Sequence, residues 1–164
     1  MKLVSVLTPV LNGDRYLEEC IDSVLSQTYP SIEHIFTDGK STDRTLEILK
    51  YYSRKYPEKV RYYSEVDSGS AEAVNRAITY SRGEIVGFLG SDDTYLATSV
   101  ETAVSLLKED MYFLFGSCNY INSESRIVKT VIARDPRENE LIRGRFYIYG
   151  PALFCRKELF GIVG

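Results

Sequence analysis

The sequence predicts an α/β domain built on a mixed, mainly parallel sheet flanked by helices. Three observations carry that expectation. Strand-like apolar runs alternate with amphipathic helical segments over the first two-thirds of the chain. The 164 residues, 44% hydrophobic and 26% charged, suit one soluble domain with a real core. A later pair of strand-like runs, joined by the polar turn NSES, makes the sheet mixed rather than purely parallel. No internal repeat or linker interrupts the pattern, so residues 1–164 read as a single domain.

The elements follow in order. Residues 3–7 (LVSVL) form a first strand that is expected to stop at Thr8-Pro9. Residues 16–27 place Leu17, Ile21, Val24 and Leu25 on one helical face, and Tyr29-Pro30 ends that helix. A second strand, residues 33–37 (EHIFT), leads into the loop DGKSTD, where Ser41, Thr42 and Asp43 are candidate N-caps. The helix that follows carries Leu46, Leu49 and Tyr56 towards Pro57. A third strand, residues 60–64 (VRYYS), precedes a helix over residues 71–81 with Gly83 as its C-cap. The fourth strand, residues 84–89, is apolar at its centre, and Val100, Ala103, Val104 and Leu107 mark another helix. Residues 112–118 and 127–133 form the later strand pair, and the tail GPALFCRKELFGIVG reads as a short strand and a starting helix.

Composition narrows the function. A net charge of -3 and the lack of any basic run exclude a phosphate-backbone reader, so no nucleic-acid partner is expected. Cys20, Cys118 and Cys155 are odd in number and far apart, which fits reduced thiols in a cytoplasmic protein and no disulfide or zinc framework. No apolar run approaches the roughly 20 residues of a membrane helix. The start MKLVSVLTPVLNGD loosely mimics a signal peptide, but Thr8-Pro9 and Asn12-Gly13 interrupt it, and a first strand explains it better.

Ligands of open α/β sheets bind at the carboxyl ends of the strands. Here those ends supply Thr8, Pro9 and Asn12, then Asp38-Gly39, then Glu65 and Asp67, then Ser91, Asp92 and Asp93. Polar loops are ordinary, and capping accounts for Asp43. It does not account for adjacent carboxylates directly after a buried strand, where like charges repel. Hard oxygen donors without His or Cys suit Mg²⁺ or Mn²⁺, which take one or two carboxylates and complete their shell with water and phosphate oxygens. A metal-bridged phosphate ligand is the chemistry this arrangement invites. DGKST is not a P-loop, because the position of its first glycine holds His34. His34 reads as an ordinary strand residue. GxGxxG is absent, and a receiver domain would need its acidic pair after the first strand, where this chain has Thr8-Pro9.

The stretch VSVLTPVLNGDRYLEECIDSVLSQTYPSIEHIFTDGKSTDRTLEIL resembles the start of family-2 glycosyltransferases, nucleotide-sugar enzymes of the GT-A fold. DSGSAEAVNRAITYSRGEIVGFLGSDDTY is similar to the segment ending in the family's DXD-type metal motif, and LFGSCNYINSESRIVK and PALFCRKELF resemble later segments. The resemblance covers nearly the whole chain. It implies a Rossmann-like sheet and a nucleotide-sugar pocket lined by Thr8, Pro9, Asn12, Asp38, Asp67, Asn75, Ser91 and Asp92. Asp38 would accept from the N3–H of a uracil, and Asp92 with Asp93 would hold Mg²⁺ or Mn²⁺ on the diphosphate. The implied reaction is metal-dependent, inverting transfer from a UDP-sugar to an acceptor hydroxyl in cell-surface polysaccharide synthesis.

Several positions depart from the family's pattern. Gly90 stands where relatives carry an acidic or amide residue, Lys40 and Arg44 where glycine is frequent, Glu72 where Asp is common and Ala77 where Gly is common. The resemblance places the catalytic base in an acidic motif beyond Gly164, so the domain is expected to lack its C-terminal part. None of Asp135, Glu138 and Glu140 is assigned as the base. A nucleoside-diphosphate-binding module without transfer is therefore the alternative reading. A nucleotidyltransferase ranks lower, for want of a Gly-rich basic triphosphate loop. The acceptor is expected to be a saccharide or lipid-linked. A lipid-linked acceptor would bring the protein to the inner membrane face, and the strand pair of residues 112–133 is where a homodimer contact would fall.

Overall fold

The computed structural model describes residues 1–135 and 150–163. Strands β1 (Val4–Val10), β2 (Ile32–Asp38), β3 (Val60–Ser64) and β4 (Ile85–Phe88) are parallel neighbours in the order β3-β2-β1-β4. Helices α1 (Leu17–Leu25), α2 (Thr45–Lys55) and α3 (Ser70–Tyr80) connect them. After α4 (Ser99–Leu106) come β5 (Phe113–Phe115), the hairpin β6 (Cys118–Ile121) and β7 (Ile127–Val131), a 3₁₀ turn (Gly150–Ala152), β8 (Leu153–Arg156) and α5 (Leu159–Val163). β8 enters the main sheet antiparallel, between β4 and β5.

The sheet is thus mixed, as expected, but for another reason. Residues 112–118 do not form one strand paired with the next. They split at Gly116-Ser117, β5 joining the six-stranded sheet and β6 pairing with β7 in a separate two-stranded sheet. β1 also runs past Thr8-Pro9 to Val10. Leu7 O accepts from Leu89 N on the β4 side, and Pro9, two residues on, faces that side where the β4 ladder has ended. Its missing N–H therefore costs no ladder bond.

Alternation along the parallel strands divides the core into two layers. Val4, Val6, Ile32 and Ile85 pack with Val24 of α1 and with Val100 and Ala103 of α4, and Val10, Phe36 and Val60 meet Ile21, Ile48, Leu49 and Tyr52 of α1 and α2. On the other face Leu7, Ile35 and Val86 meet Ala77 and Ile78 of α3, with Phe160 of α5 against them. On α2 the buried stripe is Thr45, Ile48, Leu49 and Tyr52, and Leu46 and Tyr56 are only half-buried.

The caps differ from expectation. No side chain caps α2 from its N-cap residue, Arg44. Ser41 Oγ instead accepts from Asn12 N at 2.8 Å, and Asp43 accepts from Asp14 N and Thr45 N at 3.1 and 3.0 Å. α3 ends at Ser81 rather than Gly83. Gly83 is glycine because a Cβ there would lie 2.7 Å from Leu3 O and from Ser5 N.

Beside Gly83, at the amino ends of the strands, sits a buried carboxylate. Glu33 Oε1 accepts from Ser5 Oγ at 2.6 Å and from Arg82 N at 2.7 Å, and Oε2 accepts from Arg82 Nε at 2.8 Å and from Arg61 Nη1 at 3.1 Å. Ser5 Oγ in turn accepts from Gly83 N at 2.8 Å. Burial pushes the Glu33 carboxyl up, but the Ser5 hydrogen bond and the Arg82 backbone and guanidinium outweigh it and hold it below its ordinary 4.5. Among the described residues, no helix is long and apolar enough to cross a membrane.

Candidate functional site

The carboxyl ends of the four parallel strands are laced together, loop to loop, in sheet order. Asp38, closing β2, accepts from Ser64 Oγ of β3 at 2.6 Å and from Ser41 N of its own loop at 3.2 Å. The loop after β1 bonds to the loop after β2: Asn12 Oδ1 accepts from Thr42 N at 2.9 Å, and Gly13 N donates to Thr45 Oγ1 at 2.9 Å. On its other side Gly13 abuts the loop after β4, where a Cβ would lie 3.1 Å from Ser91 Oγ. Asp67, after β3, leans over Gly39, where a Cβ would come 3.1 Å from its Oδ2. Asp67, Asn12 and Ser91 therefore belong to one rim, with Asp38 buried beneath it and Pro9 half-buried in β1 beside it.

Two of this rim's residues hold left-handed backbone without being glycine: Asn12 at φ 51° and Lys40 at φ 65°. Asn tolerates that region, but a lysine there costs about 1–2 kcal/mol. Lys40 lies in the loop from Asp38 to Ser41, which Ser41 N closes by donating to the Asp38 carboxylate. Gly39, one residue earlier, is not the left-handed one; it makes room for Asp67.

The loop after β4 carries Asp92 and Asp93. Both carboxylates converge on the space above Gly90, since a Cβ there would lie 2.6 Å from Asp93 Oδ2 and 3.0 Å from Asp92 Oδ1. Burial, and then the charge of Asp92, push the Asp93 carboxyl above its ordinary 3.8. Among the described residues no Lys or Arg forms an ion pair with either. No group of three or more His, Cys, Asp or Glu side chains gathers there either, or anywhere among the described residues. Two converging oxygen donors without a counter-charge fit a hard divalent cation that takes its other ligands from water and phosphate. Asp92 and Asp93 are the residues that would hold it.

Besides the buried Asp38, two sequence-predicted residues stand off the open rim. Thr8 is fully buried, its Oγ1 hydrogen-bonded to His34 Nε2 at 2.9 Å. Burial holds that imidazole down to about 3, so His34 is neutral, as an ordinary strand residue. Asn75 lies exposed on α3, and its backbone carbonyl accepts from Thr79 Oγ1 at 3.1 Å. Asp135 is exposed beyond β7, and Glu138 and Glu140 lie outside the described residues.

Sequence reasoning missed two neighbours of the pair. Cys20 Sγ donates to Gly90 O at 3.4 Å, and burial raises its thiol to about 12, so it packs beneath the loop as an inert group. Cys118 at the start of β6 feels the charge of Asp93, which adds to burial in raising its thiol. Neither contact has a local sequence signal, since they span 70 and 25 residues.

A family model described as Glycosyl transferase family 2 matches residues 5–160. The chain is 32% identical over 143 residues to the UDP-Glc:alpha-D-GlcNAc-diphosphoundecaprenol beta-1,3-glucosyltransferase WfgD of Escherichia coli, covering 86% of this chain and 55% of that protein. It is 40% identical over 108 residues to the putative teichuronic acid biosynthesis glycosyltransferase TuaG of Bacillus subtilis, covering 65% of this chain and 42% of that one. The chain thus spans about half the length of these relatives. Its fold matches the mannosyltransferase PcManGT from Pyrobaculum calidifontis, solved with GDP-Man and Mn²⁺, at a TM-score of 0.73 and 22% identity over 99% of this chain and 47% of that one. S. aureus TarS 1-349, solved with UDP-GlcNAc, gives a TM-score of 0.73 and 23% identity over 98% and 47%. The sheet is that of the GT-A glycosyltransferases, and the chain belongs to glycosyl transferase family 2.

Proposed function

We propose that this chain forms the donor-binding part of a metal-dependent glycosyltransferase that moves a sugar from a UDP-sugar to an acceptor hydroxyl. The observation that carries the reading is the Asp92–Asp93 pair, converging over Gly90 after β4 with no ion-pair partner among the described residues. A divalent cation bound there supplies charge neutralisation to the departing diphosphate. Asp38, at the far side of the rim, has acceptor capacity for a base N3–H. Asp67 and Asn12 flank it, Pro9 and Ser91 border the β1 and β4 loops, and Thr8 supports β1 from beneath. Asn75 faces solvent on the helix after the Asp67 loop. The names of WfgD and TuaG support a role in cell-surface polysaccharide synthesis, with a saccharide or lipid-linked acceptor. An acceptor hydroxyl attacking opposite the held diphosphate inverts the anomeric carbon, and its proton goes to a base that none of the described rim residues supplies.

Calorimetric titration of UDP with Mn²⁺ and then with EDTA tests the reading. Metal-dependent binding of UDP, not matched by ADP, is expected, and no binding of any nucleoside diphosphate contradicts it. The alternative is a module that binds donor without transfer. Hydrolysis or transfer of a labelled UDP-sugar separates the two.

A further inference from the structure

We infer that Lys40 is a specificity-determining residue of the donor site, a cation that receives the anionic phosphates of the nucleotide as they enter a predominantly acidic rim. The inference rests on the donor-binding reading above. Asp14, Asp38, Asp43 and Asp67 lie on the loops that Lys40 shares or borders, with Asp92 and Asp93 on the loop beyond β1. Of the neighbouring cations, Arg44 is paired with Glu47 and Arg15 lies over the Tyr16 ring, so a nucleoside diphosphate approaching the rim meets mainly negative charge. Lys40 is exposed and forms no ion pair or hydrogen bond with any of them. A lysine beside so many carboxylates ordinarily pairs with one. This one stays open to a ligand.

Its backbone separates function from fold. At φ 65° glycine is the unstrained choice, and the turn already pins its ends through Asp38 and Ser41. Among the described residues, the Lys40 side chain makes no hydrogen bond or ion pair that would offset this strain. β2 and β4 flank β1, so their loops stand about 10 Å apart. A diphosphate held at Asp92 and Asp93, with its base towards Asp38, runs past the lysine's flexible reach.

The test compares wild type with Lys40→Gly and Lys40→Arg, titrated with UDP, UMP and uridine in the presence of Mn²⁺, alongside thermal melts. Lys40→Gly is expected to melt at the same or a higher temperature while UDP affinity falls about fivefold, UMP less and uridine not at all. Lys40→Arg, which keeps the charge, is expected to retain wild-type UDP affinity. Equal UDP affinity in wild type and Lys40→Gly overturns the role of Lys40 alone, as does an equal loss for UDP and uridine. Failure of the wild type itself to bind UDP overturns the donor reading and this inference with it.

Discussion

Glu33 and the Asp92–Asp93 pair are carboxylates at opposite ends of the same sheet, and their surroundings are opposite too. At the amino ends, Glu33 is enclosed by Arg61, Arg82, Ser5 and a backbone N–H, and its pKa is depressed. At the carboxyl ends, Asp92 and Asp93 converge over Gly90 with no ion-pair partner among the described residues, and the Asp93 pKa is raised. A satisfied buried carboxylate holds strands together. An unsatisfied pair is a site waiting for charge. Burial alone does not tell them apart; partners do.

The largest effect expected from this contrast is at Glu33. Glu33→Ala strands Ser5, the Arg82 N–H and two guanidinium groups, and should cost about 2–4 kcal/mol in urea denaturation. Asp92→Asn should leave the urea midpoint where it is and weaken Mn²⁺-dependent UDP binding more than tenfold, about 1.4 kcal/mol or more. A large stability loss in Asp92→Asn would break the distinction.

The glycines beside each carboxylate sharpen it. A Cβ at Gly83 meets backbone, Leu3 O and Ser5 N at 2.7 Å, which cannot yield, so Gly83→Ala should destabilise by about 1–3 kcal/mol. A Cβ at Gly90 meets only carboxylate ends, which can swing away. Gly90→Ala should therefore fold nearly as well as wild type and lose Mn²⁺-dependent binding in calorimetry. The smallest effect is with pH. Because folding depresses the Glu33 pKa, its contribution is fully present above the ordinary value of 4.5 and is lost as pH falls through the lower folded value. Acid titration of the melting temperature should show this loss, and Glu33→Gln should flatten it.

Much of this contrast was legible in the sequence on one side only. β3 occurs at the expected residues 60–64, and β1, β2 and β4 lie within a few residues of expectation, because each is an apolar run bounded by turn residues. The rim was legible because topology puts every strand-end loop on one edge. The Glu33 cluster was not. Ser5, Glu33 and Arg61 read as polar positions within strands and Arg82 as a loop residue, and only strand pairing brings them together across 28 and 49 residues. β8 itself was legible as the short strand of the tail, but its place between β4 and β5 was not, because long-range antiparallel pairing sets it and nothing local announces that. Lys40's left-handed backbone was also hidden, since the adjacent Gly39 is the residue a reader of DGKS assigns to it.

The most direct test of the division of labour between the two ends is a thermal melt of wild type, Glu33→Gln and Asp92→Asn, with and without Mn²⁺ and UDP together. Ligands that bind the folded state alone raise its melting temperature. The account predicts the same ligand-induced rise in wild type and Glu33→Gln, from a lower starting temperature in the latter, and no rise in Asp92→Asn from an unchanged one. A full rise in Asp92→Asn would contradict it, because the carboxylate pair would then not be where the cation and diphosphate bind.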